Sequence, residues 1–394
     1  MKHIYIHFPY CLYKCHYCDF NSHARKPGEL KDETKLFLSA LQKDWQQQFS
    51  DCLDFDHALA GESVQTIFFG GGTPSLMKGE HIKIILDFIR ADVVFSDNIE
   101  ITLEANPGTL SAENLQSFKQ AGVNRLSMGV QSFSDQNLQR FGRIHTGEEA
   151  VAAIELAKKY GPKELSIDLI FGFPDQSLAS WESDLQQALK FKLKHLSCYQ
   201  LTAEAGTKYT QDLRQGVWQD PDQEVMNQMQ DLTISLLNQN EFHRYEISNY
   251  AKPGYESRHN LAYWHFESYL GLGPGAWGQM RRSDAKLKSF QLLRRVLIKD
   301  PLSYQKAVGS GNFWREENIP EDTALGECLM MGLRLSDGIE LSVLQKMFPN
   351  ACGEDFEVAK QQAIAKGWLS QKAGRLCPTE EGLRWNNQLA ALFL

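Results

Sequence analysis

Three of the eight cysteines, Cys11, Cys15 and Cys18, lie within a stretch of eight residues. Their spacing, C-x3-C-x2-C, places three thiolates on one short loop directly after the apolar run 4–8. Three thiolates suit a 4Fe–4S cluster that keeps one iron open, or a zinc ion whose coordination another group completes. His16 is a poor further ligand, because Cys15 and Cys18 flank it too closely for all of them to face one ion. The spacing therefore favours the iron–sulfur cluster over zinc.

The other five cysteines are scattered along the chain. They are Cys52, Cys198, Cys328, Cys352 and Cys377. We expect them to be small core residues or inert thiols. The N-terminal sequence MKHIYIHFPYC has no long apolar core and no small-residue cleavage site, so no signal peptide is expected. A disulfide framework is therefore not expected either, and the predicted location is cytoplasmic.

A glycine run, Gly70-Gly71-Gly72 followed by Thr73, comes directly after the second predicted strand. Glycines let a backbone approach a ligand closely and expose N–H donors. A tight turn before the next helix would have the same composition. The run alone leaves both interpretations open.

Polar residues also mark the following strands. Glu104 ends the third strand, where a carboxylate can accept from an ammonium or a ribose hydroxyl. Gln131 follows the fourth strand, and Arg143, further on, supplies a planar fork for a carboxylate. Asp168 lies inside the apolar fifth strand, where a charge is costly unless it has a polar partner. Each residue alone could be structural, but their repetition at the same end of successive strands favours a ligand site.

An alternation of strands and helices must position these residues. Strands are predicted at 3–8, 64–69, 99–104, 124–128, 165–170 and 195–200. Helices are predicted around 37–49 and at 79–91, 111–121, 147–160, 177–190 and 222–238, with Ser177 as an N-cap. Six strand-then-helix units imply parallel strands with right-handed crossovers, hence an incomplete (β/α)6 barrel of the α/β class. In such folds chemistry collects at the carboxyl ends of the strands.

The pattern changes after the barrel. Segment 241–280 is rich in loops, and segment 281–299 carries seven basic residues against one acid. From about residue 320 we expect three helices, a hairpin around Gly374 and a final helix, which is the order of a winged helix. The predicted domains are the barrel at 1–240, a middle region and linker at 241–315, and a smaller, mostly helical, winged-helix-like domain at 316–394.

The composition excludes two classes of partner or location. The 394 residues carry 41 Lys+Arg against 49 Asp+Glu, a formal net charge of −8, and 42% of them are hydrophobic. Such an acidic balance gives no electrostatic footprint for nucleic acid, which is therefore not an expected partner. No run approaches the roughly 18 apolar residues of a membrane span.

With C-x3-C-x2-C after the first strand and GGGTP after the second, the chain resembles radical S-adenosylmethionine proteins over most of its length. More narrowly, it resembles the oxygen-independent coproporphyrinogen III oxidase group and, within that group, the HemW-type haem chaperones. The resemblance implies a radical-SAM barrel with a 4Fe–4S cluster and S-adenosylmethionine as cofactors, which the protein orients and shields from water.

The resemblance also assigns residues. It makes the three clustered cysteines, Cys11, Cys15 and Cys18, the cluster ligands, and it places Tyr5 and Tyr17 beside the cluster and the cofactor. The methionyl end of the cofactor would be cradled by Gly71, Gly72 and Thr73. The rest of the cofactor would be contacted by Glu104, Gln131, Arg143 and Asp168.

Two departures separate this chain from the oxidases. Only ten residues precede Cys11, where the oxidases have a long N-terminal arm, and Phe20 occupies the place of their fourth cysteine. Both favour the HemW-type subfamily. The signature H-N-x-x-Y-W at 259–264, which is associated there with haem binding, favours it as well.

The resemblance makes His259 the candidate haem ligand, with Tyr263 and Trp264 as flat walls for a porphyrin. From the residues alone, a histidine hydrogen-bonded within an aromatic loop is the preferred interpretation. The family often has Gly-Ala-His at a later turn, where this chain has Trp277, so no histidine ligand is expected there. The basic segment 281–299 could meet haem propionates or an anionic membrane surface, although a solvated linker helix is preferred.

The resemblance thus implies a haem chaperone that passes haem to apo-haemoproteins such as respiratory cytochromes. A homodimer and peripheral membrane association are further expectations. The alternatives are an oxygen-independent coproporphyrinogen III oxidase, or a radical enzyme acting on another substrate. Activity as a coproporphyrinogen oxidase is disfavoured by the short N-terminal arm and by Phe20.

Overall fold

A computed structural model describes residues 2–55, 63–219, 221–284 and 289–394. Its strands are β1 (His3–Phe8), β2 (Tyr10–Cys11), β3 (His23–Ala24), β4 (Val64–Gly71), β5 (Phe95–Ala105), β6 (Arg125–Gln131), β7 (Glu164–Phe171), β8 (His195–Gln200), β9 (His243–Glu246), β10 (Asn249–Ala251), β11 (Tyr269–Leu272), β12 (Trp277–Asp284), β13 (Ser289–Leu297), β14 (Trp314–Ile319), β15 (Ile339–Glu340), β16 (Leu369–Lys372) and β17 (Arg375–Pro378).

The α-helices are α1 (Pro27–Phe55), α2 (Gly79–Asp92), α3 (Ala112–Ala121), α4 (Asp135–Arg140), α5 (Gly147–Tyr160), α6 (Leu178–Lys190), α7 (Lys208–Arg214), α8 (Gln223–Gln239), α9 (Arg258–Trp264), α10 (Pro301–Ala307), α11 (Glu321–Gly332), α12 (Leu341–Met347), α13 (Glu354–Ala365), α14 (Glu380–Arg384) and α15 (Asn386–Ala391).

The six predicted strands are confirmed as β1 and β4–β8, which pair in this order as parallel neighbours. The helices between them cover one face of the sheet. Ser177 is confirmed as an N-cap, since its hydroxyl accepts the backbone N–H of Ser180 at the start of α6. This parallel, right-handed alternation is the expected α/β architecture.

The six parallel strands form the middle of a twelve-stranded sheet. Its order is β14-β13-β12-β11-β1-β4-β5-β6-β7-β8-β10-β9. In this order β14 and β9 are edge strands, so the barrel is incomplete, as predicted. The first strand of the chain is central, since β1 pairs in parallel with both β4 and β11.

The two faces of β1 show how the sequence builds the barrel. Ile4, Ile6 and Phe8 are fully buried among the apolar residues of the covering helices. The alternate residues His3, Tyr5 and His7 hydrogen-bond to polar groups on the other face. Successive side chains of β1 therefore alternate between an apolar layer, which packs against the helices, and the polar interior of the barrel.

The basic segment 281–299 is not a solvated linker helix, because it belongs to the hairpin β12–β13. Arg294 donates to Glu327, and Arg295 is 1% exposed and pairs with Asp51 and Glu316. The ion pairs of these arginines therefore join β13 to α1, β14 and α11. Lys286 and Lys288 of the same segment lie outside the described residues.

The last part of the chain follows the predicted order. Helices α11, α12 and α13 precede the hairpin β16–β17, whose turn contains Gly374 at φ +78°, and two short helices follow. A separate apolar cluster, which includes Leu329, Leu344 and Phe356, holds this region together. The domain limits at 240 and 315 stay predictions, since strands β11–β14 continue the sheet of the barrel.

In the described part of the chain, no helix combines the length and apolarity that crossing a bilayer requires.

Candidate functional site

The three clustered cysteines lie on the loop that leaves β1 at its carboxyl end. Two of their sulfurs receive hydrogen bonds from other elements: Thr73 Oγ1 donates to Cys11 Sγ at 3.3 Å, and Arg143 Nη1 donates to Cys15 Sγ at 3.4 Å. The backbone N–H of Cys18 donates to the carbonyl oxygen of Cys15, which folds the loop back on itself. The loop thus presents three thiols to one end of the barrel.

The thiols carry no disulfide and are partly or fully buried. Burial, with smaller contributions from Cys18 and Cys15, raises the pKa of the Cys11 thiol to about 11, although the hydrogen bond from Thr73 opposes the rise. Burial also raises the pKa of Cys18. Thiolates crowded in this way are stabilised when they bind a metal group, so the donor set fits a thiolate-held cluster.

Among the described residues, no three His, Cys, Asp or Glu side chains converge so as to hold one metal ion, whereas the cysteines of an iron–sulfur cluster each bind a different iron. Of the other cysteines, Cys198 and Cys328 are buried core residues, as predicted. Cys352 and Cys377 are part-exposed free thiols, and the side chain of Cys52 lies outside the described residues.

The glycine run packs its backbone against the start of the cysteine loop. A Cβ atom on Gly72 would come within 2.6 Å of the carbonyl oxygen of Tyr10, so only glycine fits there. Gly71 has φ +108°, and its N–H donates to Glu104 Oε2 at 3.2 Å. The run therefore joins β4 to the cysteine loop and to the end of β5.

Two acids lie in the interior near this end of the barrel. Burial raises the pKa of Glu104 to about 8, with a further contribution from the charge of Asp168. Burial also raises the pKa of Asp168 to about 6, while hydrogen bonds from Ser197 and Ser127 oppose the rise. Ser127 Oγ lies 3.2 Å from both carboxylate oxygens of Asp168, which confirms the polar partner expected for this residue.

Gln131 and Arg143 are the last two of the predicted polar residues at this end of the barrel. Gln131 ends β6 with φ +70°, a left-handed conformation that is uncommon for a residue other than glycine. Arg143 donates to the carbonyl oxygen of Gly129 and to Cys15, while its Nε has no hydrogen-bond partner among the described residues. Tyr17 packs against Phe141 with ring centroids 5.7 Å apart. One N–H of the guanidinium is thus still available to a ligand.

An open cavity of about 220 Å³ adjoins these residues. It is lined by Tyr5, His7, Phe20, Asn21, Gly71, Glu104, Gly275, Trp277 and Lys299. Phe20 is 55% exposed and Trp277 is 44% exposed. The amide nitrogen of Asn21 donates to the carbonyl oxygens of Pro274 at 2.9 Å and Lys299 at 2.8 Å. These bonds join the cysteine loop to the turn between β11 and β12 and to the segment that follows β13.

The signature H-N-x-x-Y-W forms α9, and this helix lies inside the barrel, toward the amino ends of the strands. His259 is 1% exposed. Its Nδ1 lies 2.6 Å from Thr66 Oγ1, its Nε2 lies 3.0 Å from Tyr263 Oη, and its ring stacks on Phe68 at 5.1 Å. Burial, with a smaller effect of His3, lowers the pKa of His259 to about 3.

In this arrangement both ring nitrogens of His259 are hydrogen-bonded in the interior, so a haem iron would have to displace one of these partners, and the role of His259 as a haem ligand stays a prediction. Tyr263 bonds to His259 and packs edge-on against Tyr269, so it does not form an open wall for a porphyrin. The alternative drawn from the residues alone, a histidine hydrogen-bonded among aromatic rings, describes this segment correctly.

Sequence reasoning missed the residue that anchors α9. The carboxylate of Glu100 accepts hydrogen bonds from the backbone N–H groups of Arg258 at 3.2 Å and His259 at 3.0 Å. Its Oε2 lies 3.7 Å from Nη1 of Arg125. A negative charge at a helix N-terminus is favourable. The available signal was the polar alternation of Glu100, Thr102 and Glu104 along β5.

The structure therefore divides the candidate residues into two groups. One group lies at the carboxyl ends of the parallel strands and contains Tyr5, Cys11, Cys15, Tyr17, Cys18, Gly71, Gly72, Thr73, Glu104, Gln131, Arg143 and Asp168. His259 lies apart from them, in the interior near the amino ends.

The comparisons with known proteins cover the whole chain. The model of the radical SAM superfamily matches residues 5–188, and that of the HemN C-terminal domain matches residues 319–385. The chain is 38% identical to the Heme chaperone HemW of Escherichia coli (strain K12), over 99% of this chain and 97% of that protein. It is 32% identical to the Heme chaperone HemW of Bacillus subtilis (strain 168), over 100% and 99% of the two chains.

Among solved structures, the chain is similar to coproporphyrinogen III oxidase (HemN) from Escherichia coli, a radical SAM enzyme. The TM-score is 0.78 at 21% sequence identity, covering 100% of this chain and 90% of the other. At this identity the likeness establishes the fold: an open α/β barrel with a helical C-terminal domain.

Proposed function

Because this chain belongs to the HemW family of radical S-adenosylmethionine proteins, we propose that it is a haem chaperone, which binds haem and delivers it to apo-haemoproteins. The observation that carries this proposal is the 38% identity with the Heme chaperone HemW of Escherichia coli over 99% of the chain. Respiratory cytochromes are the acceptors we propose.

The cysteine loop is the proposed site of a 4Fe–4S cluster, held by Cys11, Cys15 and Cys18. Three reduced thiols on one loop leave one iron open to S-adenosylmethionine. When bound, the cluster and S-adenosylmethionine supply one-electron chemistry.

The remaining residues of this end would bind S-adenosylmethionine. Gly71, Gly72 and Thr73 lie beside Cys11, where the methionyl end would pack against their backbone, since their own N–H groups already donate to Glu104, Phe8 and Tyr10. Tyr5 and Tyr17 form half-buried walls, and Glu104, Gln131, Arg143 and Asp168 supply the carboxylate, amide and guanidinium groups for the polar parts of the cofactor. The free Nε of Arg143 supports a contact to the cofactor carboxylate.

The haem site we propose is the open cavity at the same end, rather than α9. Exposed Phe20 and Trp277 offer apolar ring surface to a porphyrin, and Lys299 offers a cation to a propionate. By contrast, Arg294 and Arg295 of the basic segment are engaged in ion pairs within the fold. A homodimer and contact with a membrane surface belong to the proposal as points that sedimentation and vesicle binding would test.

A haem titration of the anaerobically reconstituted protein tests the proposal. We expect near-stoichiometric binding by absorbance, followed by transfer of haem to an apo-cytochrome. Trp277→Leu should weaken binding several-fold, whereas Trp314→Leu, at a separate surface groove, should leave it unchanged. Absence of haem binding would contradict the proposal. Turnover of coproporphyrinogen III in a parallel assay would establish the oxidase alternative instead.

A further inference from the structure

Two of the three clustered sulfurs receive hydrogen bonds from side chains outside the cysteine loop. Thr73 Oγ1 reaches Cys11 Sγ at 3.3 Å, and Arg143 Nη1 reaches Cys15 Sγ at 3.4 Å. Cys18 differs, because its side-chain contact is local: Ser22 Oγ lies 4.0 Å from its sulfur.

Backbone contacts fix the position of the Thr73 hydroxyl. The N–H of Thr73 donates to the carbonyl oxygen of Tyr10 at 2.8 Å, one residue before Cys11. The N–H of Gly72 donates to the carbonyl oxygen of Phe8 at 2.7 Å. The glycine loop is thus held against the segment that carries Cys11, and the hydroxyl has a defined partner.

Arg143 is held with similar rigidity. Its Nη2 donates to the carbonyl oxygen of Gly129 in β6, and its backbone N–H donates to that of Leu138. A guanidinium keeps its charge at any physiological pH, so its bond to Cys15 is charge-assisted. The bond from Thr73 to Cys11 is the neutral counterpart.

From this geometry we propose that Thr73 and Arg143 set the reduction potential of the cluster, by hydrogen bonding to the thiolates of Cys11 and Cys15. The cluster couple takes up one electron, and the reduced state carries more negative charge on its sulfurs. Donors to those sulfurs stabilise the reduced state more than the oxidised state, and they therefore raise the potential. The inference rests on the proposal that these cysteines hold the cluster, and it does not depend on haem.

The experiment is an EPR-monitored redox titration of the reconstituted full chain, with dithionite as the electron donor. S-adenosylmethionine is left out, so that its contacts with either residue cannot contribute. Thr73→Val removes the hydroxyl at nearly constant shape and should move the midpoint potential to a more negative value. Thr73→Ser keeps the hydroxyl and should retain the wild-type potential. Arg143→Gln should give a larger negative shift, because the donor it removes is charged.

An unchanged midpoint potential in Thr73→Val, in protein that still holds about four iron atoms per chain, would overturn the role of Thr73. The same negative shift in Thr73→Ser would also overturn it, because the hydroxyl would not be the cause. A wild-type chain that takes up no cluster would instead refute the proposed cysteine site, which keeps the two failures distinct.

Discussion

The two ends of the barrel interior are both polar, but they differ in their access to an open cavity. Near the amino ends of the strands, His3, Thr66, His259 and Tyr263 bond to one another in sequence. Near the carboxyl ends, the pKa values of two acids are raised by burial, Arg143 keeps a free N–H, and an open cavity adjoins them. A residue type that is typical of chemistry indicates a site only where its bonding capacity is still available.

The comparison bears directly on the two motifs of this chain. The C-x3-C-x2-C loop presents its sulfurs to a region with hydrogen-bond donors and space. The H-N-x-x-Y-W segment instead forms a helix whose start is capped by Glu100 and whose histidine has no free nitrogen. The first motif therefore fits a cofactor site, whereas the second packs into the interior of the barrel.

The largest expected effect is at the open end. Cys15→Ser should abolish the cluster absorbance after anaerobic reconstitution, because serine is a poor replacement for a thiolate ligand of iron. Cys377→Ser, in β17 of the C-terminal region, is the matched control and should retain full absorbance and iron content. A complete cluster in Cys15→Ser would refute the assignment of this ligand.

At the closed end, His259→Ala should act on stability. Loss of the buried ring and its two hydrogen bonds should lower the free energy of unfolding by about 3 kcal/mol, measured by urea denaturation. Haem affinity, measured where the variant is fully folded, should remain at the wild-type level. His243→Ala, at an exposed histidine, should change stability by less than about 0.5 kcal/mol. A folded His259→Ala variant that no longer binds haem would return His259 to the haem site.

The last prediction concerns the pH dependence of stability at the open end, where the effect expected for each pH unit is smaller than that of His259→Ala. Since the pKa of Glu104 is raised from 4.5 to about 8, the folded protein keeps a proton that the unfolded chain releases between these two values. Stability should therefore fall as pH rises through this window, by up to about 1.4 kcal/mol per pH unit, and level off above it. Glu104→Gln should remove this component, as urea denaturation at several pH values would show. An identical pH dependence in variant and wild type would contradict it.

Local patterns predicted much of the fold. Alternating apolar residues located β1 and β4–β8, and spacing of apolar residues located the helices between them. The candidate residues at the carboxyl ends of these strands were found because parallel topology brings those ends together.

The misses share one cause, which is pairing across long sequence distances. Arg295 was interpreted as a solvated charge, but its partner Asp51 lies 244 residues away. Glu100, which sequence reasoning missed, accepts the backbone N–H of His259, 159 residues away, so the local pattern could not show that it caps α9. Periodicity locates elements, whereas the satisfaction of a buried polar group depends on the assembled fold.

The central position of β1 has a consequence for biosynthesis. Asn21, just after the cysteines, bonds to the carbonyl oxygen of Lys299, 278 residues further along the chain. At about 5–20 residues per second, the ribosome needs roughly 15–55 s to make that intervening stretch. Until then the nascent chain carries three thiols on a loop that lacks the hydrogen bond from Asn21 to Lys299. A pause in synthesis before Lys299 would therefore prolong the time in which the loop lacks this bond.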